Sequence, residues 1–313
     1  VQLQEFLDAV LSQRMYQRDG ERAPHKPLTV LYALGRAVKG ERLTRYSAAE
    51  PDLEDLLNRF GPPRENQKPE QPAWRLLQPS STVQIWDIEG ATRVRTYENG
   101  DPKRADLREF ASIGLSKPAF TLFHDRPADA QYAATCIAEH LLPSSIQGEL
   151  LEAVGLGGSD DVREASLSPQ LQLSISKRER VIAERSRRTA VFARKVLAAY
   201  GHRCAVCSVA PKIDDRHFGL EAAHIRWVEA GGPDDVCNGI CLCRMHHVAL
   251  DRGALTLRQD FRVEISPRLS LDAATRAIFE PFDGRLATIP LTDGDLPHKD
   301  ALDWHRNQVF KRS

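Results

Sequence analysis

No run of apolar residues in this chain approaches the roughly 18 that a membrane-crossing helix needs, and no signal-peptide pattern opens it. The first residues instead space Leu3, Phe6, Leu7, Val10 and Leu11 in the i, i+3, i+4, i+7, i+8 pattern that predicts an amphipathic helix. A cytoplasmic protein without membrane contact is the expectation. Net charge is also missing, since 43 Lys and Arg balance 43 Asp and Glu. That excludes a uniformly basic surface but not nucleic acid, because charge can be segregated. Here it is. From Lys177 to Lys195, eight basic residues (Lys177, Arg178, Arg180, Arg185, Arg187, Arg188, Arg194, Lys195) stand against Glu179 and Glu184. Internal repeats are absent. Cysteines are few, six in 313 residues, and five of them (Cys204, Cys207, Cys237, Cys241, Cys243) fall within forty residues, with Cys136 apart. A disulfide framework suits small secreted chains, so this clustering points to metal.

What is present suggests an α+β protein of two domains, since single cores seldom grow past about 250 residues. Residues 1–155 mix helices with strands. Helices are expected over Pro27–Val38, Pro51–Phe60, Ala128–Leu142 and Ser145–Val154. A strand is expected over Thr82–Ile88, with Val94–Tyr97 as its partner. Gly61–Pro79 carries five prolines and is expected to be irregular. Gly155–Asp161 has linker composition, and residues 156–187 read as a linker that becomes a basic helical segment. Residues 188–313 then form the second domain, with a helix over Arg188–Tyr200, one strand over Arg258–Ile265, loops, and a closing helix near Ala301–Phe310.

Cys204-Ala-Val-Cys207 is a knuckle that lets two thiolates bind one Zn²⁺ from a tight turn, and Cys243-Arg-Met-His246 repeats the spacing thirty-six residues later. Together they supply the four ligands of a tetrahedral structural site. Cys237 or Cys241 could replace His246, although the apolar run Gly239–Cys243 makes Cys241 a core residue by pattern. Between the half-sites lie Leu220–Ile225 containing His224, then Gly231-Gly232, then Asn238. His247 follows the second half-site, and Asp251 comes one helical turn later.

This order of His, Asn and His inside a zinc-held unit, from about Arg188 to Leu257, resembles the HNH nucleases. The resemblance implies a ββα fold around one catalytic divalent ion, Mg²⁺ or Mn²⁺. Phosphodiester hydrolysis requires a deprotonated water, positive charge on the phosphoryl oxygens and a stabilised leaving oxygen. His224 at a strand end is the expected general base. His247 and Asp251, at i and i+4, can reach one metal. Asn238 is expected to hold the hairpin loop and to orient His224 through its amide. Many HNH enzymes carry a further metal ligand directly before the base, where this chain has Ala223. Glu221 is the nearest earlier carboxylate and would share Ala223's strand face. The alternative is a two-ligand site completed by phosphate and solvent.

The first half offers His25–Gly35, Pro69–Leu76, Leu141–Ile146 and Leu150–Gly155, an order similar to the sulfur-binding domain of phosphorothioate-dependent restriction endonucleases. In that family an apolar cavity reads sulfur that replaces a non-bridging phosphate oxygen. Pro72 and Ala73 match the cavity motif, while Gln71 stands where the family has an aromatic residue. His25 and Lys26 match the pair holding the neighbouring backbone, Arg75 matches more loosely, and Lys103 and Arg104 are phosphate or base contacts by composition. Trp74 and Leu76 read as core. The resemblance implies a type IV-like restriction endonuclease acting in defence on double-stranded phosphorothioate DNA, working as a homodimer because each HNH unit cuts one strand. Two alternatives stand beside it: an HNH nuclease gated by a modified base such as 5-methylcytosine, and a non-catalytic zinc-held DNA-binding protein.

Overall fold

A computed structural model of the protein describes residues 1–12, 23–77, 83–157, 189–270 and 272–312. The chain divides into two compact units, Val1–Ser176 and Lys177–Ser313. Most of the basic run, Lys177–Arg188, and the end of the glycine-rich linker, 158–161, lie outside the described residues.

The first unit is built around α2 (His25–Val38), whose Leu28, Val30, Leu31 and Leu34 are all buried. A helix apolar all round must be enclosed, and α2 packs against α1 (Leu3–Leu11), α3 (Tyr46–Phe60), α4 (Glu70–Arg75), α6 (Lys117–Asp125) and α7 (Pro127–Leu141). Gly35 permits a close approach, because a Cβ there would stand 1.8 Å from the carbonyl oxygen of Val154 just past α8 (Ser144–Ala153).

Beside the helices lies a three-stranded antiparallel sheet in the order β1 (Leu43–Arg45), β3 (Ser112–Leu115), β2 (Trp86–Glu89). In this sheet Ile113 pairs with both Thr44 and Ile88. The partner of β2 is therefore not Val94–Tyr97. That segment closes on itself, the Tyr97 N–H donating to the Asp101 carbonyl across a turn with Gly100 at φ 79°. Two further expectations fail here. Gly61–Pro79 contains α4, because Pro69 and Pro72 sit where the first helical turn needs no N–H partner. Helix α3 starts five residues before Pro51, which it carries inside. Helix α5 (Arg104–Phe110) completes the unit. Its Arg104 and Arg108 both donate to the Glu50 carboxylate of α3.

In the second unit the hairpin β6 (Leu220–His224) and β7 (Gly239–Cys243) pairs His224 with Gly239 and Leu220 with Cys243, and runs directly into α10 (Arg244–Asp251). This is the ββα element. The helix at 189–199 (α9) packs on it through Phe192 and Val196. Gly239 is required there, because a Cβ would stand 2.3 Å from Val196. A small hairpin, β4 (Lys212–Ile213) with β5 (Arg216–His217), precedes β6. Past α10 the expected strand Arg258–Ile265 is instead a second hairpin, β8 (Leu255–Leu257) with β9 (Val263–Ile265), turning at Phe261. Helices α11 (Ala273–Phe279), where only loops were expected, and α12 (Lys299–Gln308) close the unit. The buried His305 of α12 joins the Thr256 hydroxyl at 2.8 Å and donates to the Leu250 carbonyl at 3.0 Å, fixing the end of α10.

Candidate nuclease and zinc sites

The knuckle Cys204–Cys207 is closed by hydrogen bonds from the Ser208 N–H to the Cys204 carbonyl and from the Cys204 N–H to Val209, with Ser208 at φ 58°. Cys243 ends β7 and His246 lies one turn into α10, so a strand–helix junction brings the second pair to the first. Cys207 Sγ lies 4.0 Å from Cys243 Sγ, and His246 Nδ1 lies 3.2 Å from Cys243 Sγ and 3.6 Å from Cys204 Sγ. All four ligand atoms fall within 4.8 Å of one another. Thiolates on one tetrahedral Zn²⁺ at about 2.3 Å stand about 3.8 Å apart, so the cluster fits. The other nitrogen of His246 faces the Ile278 carbonyl at 3.3 Å, which fixes the ring with Nδ1 toward the thiols. Burial opposes charge on His246, but Cys204 and Cys243 raise its pKa to about 9. Crowded sulfurs that demand a nearby cation are what a dication satisfies. Cys241 is fully buried, with its thiol pushed up to about 12 by burial, and the Cys237 thiol donates to the Gly294 carbonyl. Neither replaces His246 in the cluster.

On the other side of α10, His247 is gripped at both nitrogens. Nδ1 meets Glu221 Oε2 at 2.7 Å, and Nε2 meets Asp251 Oδ2 at 3.3 Å. Burial acts against charge on the ring, yet Asp251 and then Glu221 raise it to about 9. Imidazole nitrogens point in opposite directions, so Glu221 and Asp251 cannot both share an ion with this ring. In this arrangement Glu221 meets the nitrogen of His247 opposite Asp251, where its carboxylate would orient the ring rather than share an ion held at Nε2. The Nε2–Oδ2 pair fits the metal, because neighbouring ligands of a divalent ion at about 2.1 Å lie about 3 Å apart.

His224 is also held at two surfaces. Its ring stacks on Phe192 with centroids 3.9 Å apart and planes 6° off parallel, and its Nε2 lies 2.9 Å from Asp234 Oδ1. Burial lowers its pKa below the ordinary histidine value, with Asp234 acting in the opposite direction. Asn238 is where the hairpin needs it but does not touch this ring. Its Oδ1 accepts from the Arg226 N–H, and its Nδ2 donates to the carbonyls of Arg226 and Pro233, all at 2.9 Å. The loop-holding half of its expected role agrees with the geometry. The orienting half does not, because both ends of the amide are occupied by backbone. Asp234 is the residue that sequence reading passed over, and Gly231-Gly232-Pro233-Asp234 ahead of Asn238 was the available signal.

In the first unit, α4 brings Gln71 and Arg75 together at a residue not singled out from sequence, Asp101, with Lys26 of α2 close enough to Arg75 to feel its charge. This buried carboxylate accepts from Gln71 Nε2 at 2.8 Å, Arg75 at 2.7 Å and Asn99 Nδ2 at 3.0 Å. Burial, then Arg75, lowers the Lys26 pKa. His25 opens α2 half-buried, Pro72 and Ala73 are buried on α4, Leu76 is core, and Trp74 is only half-buried. Lys103 caps α5 with its ammonium 5.7 Å from the Tyr97 ring centroid. The Arg104 guanidinium pairs with Glu50 and Glu54.

The family model of the ScoMcrA-like DNA sulfur-binding domain matches residues 3–159, and that of the HNH endonuclease matches residues 204–258. A solved structure titled as the sulfur binding domain of ScoMcrA complexed with phosphorothioated DNA is 27% identical, over 48% of this chain and 95% of that one, with a TM-score of 0.41. The Type IV phosphorothioation-dependent restriction endonuclease ScoMcrA is 27% identical over the same share of this chain but only 32% of its own, at 0.40. The modification dependent TagI restriction endonuclease is 28% identical over 37% of this chain and 36% of its own, at 0.28. No curated protein matches the chain. Among the described residues no helix is long and apolar enough to cross a membrane.

Proposed function

The chain belongs to the ScoMcrA-like DNA sulfur-binding domain family over its first half and carries an HNH endonuclease domain in its second, and from that premise we propose that it is a type IV-like restriction endonuclease that cuts DNA near backbone phosphorothioates. The pairing of those two modules in one chain is the observation that carries this function. Residues 1–155 test the backbone, 188–313 hydrolyse it, and 156–187 join them.

The sulfur-reading residues are His25, Lys26, Gln71, Pro72, Ala73 and Arg75, with Lys103 beside them. Sulfur is larger, more polarisable and less well hydrated than oxygen, so apolar walls gain dispersion from it and lose little hydration. An ordinary phosphate oxygen placed there loses its water without compensation, and that penalty makes the discrimination. The Gln71 amide is tethered to Asp101, so its methylene stem is the part that would serve as the wall in place of an aromatic ring.

In the second unit Cys204, Cys207, Cys243 and His246 hold a structural Zn²⁺. His247 and Asp251 hold a catalytic Mg²⁺ or Mn²⁺, which when bound neutralises phosphoryl charge and favours the leaving oxygen. Glu221 fixes the His247 ring, and Asn238 pins the loop between β6 and β7. His224 takes the proton from the attacking water, a role that burial favours by keeping the ring neutral near pH 7. Because one such unit cuts one strand, two copies act together on a duplex, and the cytoplasm is where incoming DNA is met.

The test is cleavage of matched duplexes, one with phosphorothioate links and one without, in Mg²⁺ and in Mn²⁺. Only the sulfur duplex should be cut efficiently. His224→Ala should lose about 10²–10⁴-fold in rate while retaining the sulfur preference in a gel shift. Equal cutting of both duplexes would remove the sulfur reading and leave the nuclease. Equal binding with no cutting under any divalent ion would favour the zinc-held DNA-binding protein instead.

A further inference from the structure

We propose that Asp234 is the positioning residue that makes His224 competent as a base, by holding Nε2 in its protonated form and leaving the Nδ1 lone pair for the water. The role rests on His224 being the general base.

Two contacts define the ring. Stacking on Phe192 sets its plane, but a stacked ring can still turn within that plane, and stacking does not choose which nitrogen carries hydrogen. The 2.9 Å contact between Nε2 and Asp234 Oδ1 settles both. An ionised carboxylate only accepts hydrogen bonds, whereas a neutral imidazole has one donor and one acceptor nitrogen. The tautomer with hydrogen on Nδ1 would set two lone pairs against each other across that contact. Nε2–H is therefore the form that the geometry selects, and Nδ1 is the acceptor.

Asn238 reaches this arrangement only at second hand. It accepts from the Arg226 N–H and donates to the carbonyls of Arg226 and Pro233, so it builds the loop on which Asp234, the very next residue, is carried. A Cβ at Gly232 would meet the Asn238 amide nitrogen at 2.8 Å and the Arg226 carbonyl oxygen at 1.9 Å, which shows how closely that loop is drawn in. The acidic groups bearing on His224 are Asp234 and Glu229 from this loop and Asp251 from α10, and Asp234 is the nearest.

The step balances. Water's proton passes to Nδ1 as its oxygen bonds to phosphorus, the bond to the leaving oxygen breaks, and that oxygen takes a proton from solvent. The imidazolium formed lies against the Asp234 carboxylate, which stabilises it as it appears.

The test uses the full chain and a duplex it cleaves. In Asp234→Asn the amide can turn its N–H toward the ring and select the opposite tautomer. We expect kcat to fall about 100-fold with KM unchanged, and the acid limb of the pH profile to move to lower pH as the carboxylate's charge is lost. The ¹⁵N–¹H ring spectrum of His224 should change from a single Nε2–H form to a mixture in a variant whose thermal midpoint is preserved. Asp234→Glu should restore part of kcat and the Nε2–H signature. Wild-type kcat and an unaltered ring spectrum in Asp234→Asn would overturn the assignment while His224→Ala remains inactive. Should His224→Ala cut normally, the base itself is misassigned and the role of Asp234 falls with it.

Discussion

Three histidines of the second unit share one local device. Each has one ring nitrogen committed to a fixed partner, Ile278 O for His246, Glu221 Oε2 for His247 and Asp234 Oδ1 for His224. The opposite nitrogen is thereby left for the site, Nδ1 of His246 toward the thiols, Nε2 of His247 toward Asp251, and Nδ1 of His224 for the water that the proposed mechanism requires. The residue types were legible from the sequence, because Cys, His, Asn and Asp at these spacings have few other uses together. Which nitrogen does the work was not, since each anchor comes from a distant stretch of chain. A pH prediction belongs at this scale. In its proposed role as base His224 would act only when neutral, and burial lowers its pKa. As pH falls through that lowered value the ring becomes protonated and activity is lost, so log kcat/KM should still be level at pH 6.5 and turn down, with unit slope, only at a lower pH. A rate profile with its acid midpoint above 6.5 would reassign the base.

Among elements, most of the long helices were legible, α3 only in its second part, and the partners of the short strands were not. Helices α1, α2, α7 and α8 carry apolar faces at helical spacing, and each lies within a few residues of its expected span. Strands of three or four residues hold too few alternations to signal a partner, and β2 pairs with β3 because Ile113 can bury itself between Thr44 and Ile88. Helix α10 has two duties, presenting His246 to the thiols and His247 to Asp251 from adjacent positions. Zinc should therefore control the nuclease through the fold. Removing it with a strong chelator, or replacing His246 with Ala, should lower the second unit's melting temperature and abolish cleavage, and phosphorothioate DNA binding should persist. The checks are metal content by mass spectrometry, thermal circular dichroism and a gel shift on the same samples. Full cleavage by a protein shown to lack zinc would make the cluster dispensable.

At the scale of the whole chain, the sulfur-binding-domain match and the HNH match fall in separate compact units. On the proposed mechanism a unit with a single base and a single ion would cut one strand, and a double-strand break would then require two copies on one duplex. Sedimentation of the protein with a sulfur-containing duplex should give two chains per duplex, and a nicked product should accumulate when protein is limiting. Linear product formed without a nicked intermediate at one chain per duplex would contradict this.

By itself the sequence determined the chemistry available: two CxxC-spaced half-sites, a His, Asn and His in order, and a proline-flanked Gln-Pro-Ala segment within a sulfur-binding-domain match. These follow from local spacing, and spacing is written along the chain. Only the tertiary structure decided which carboxylate serves which group. Asp234 holds His224, Glu221 backs His247, Asp101 ties Gln71 to Arg75, and Arg104 is drawn to the buried Glu50. A charge pairs with whatever the folded core sets within a few ångströms, and in a chain with equal numbers of acids and bases no local pattern names that partner.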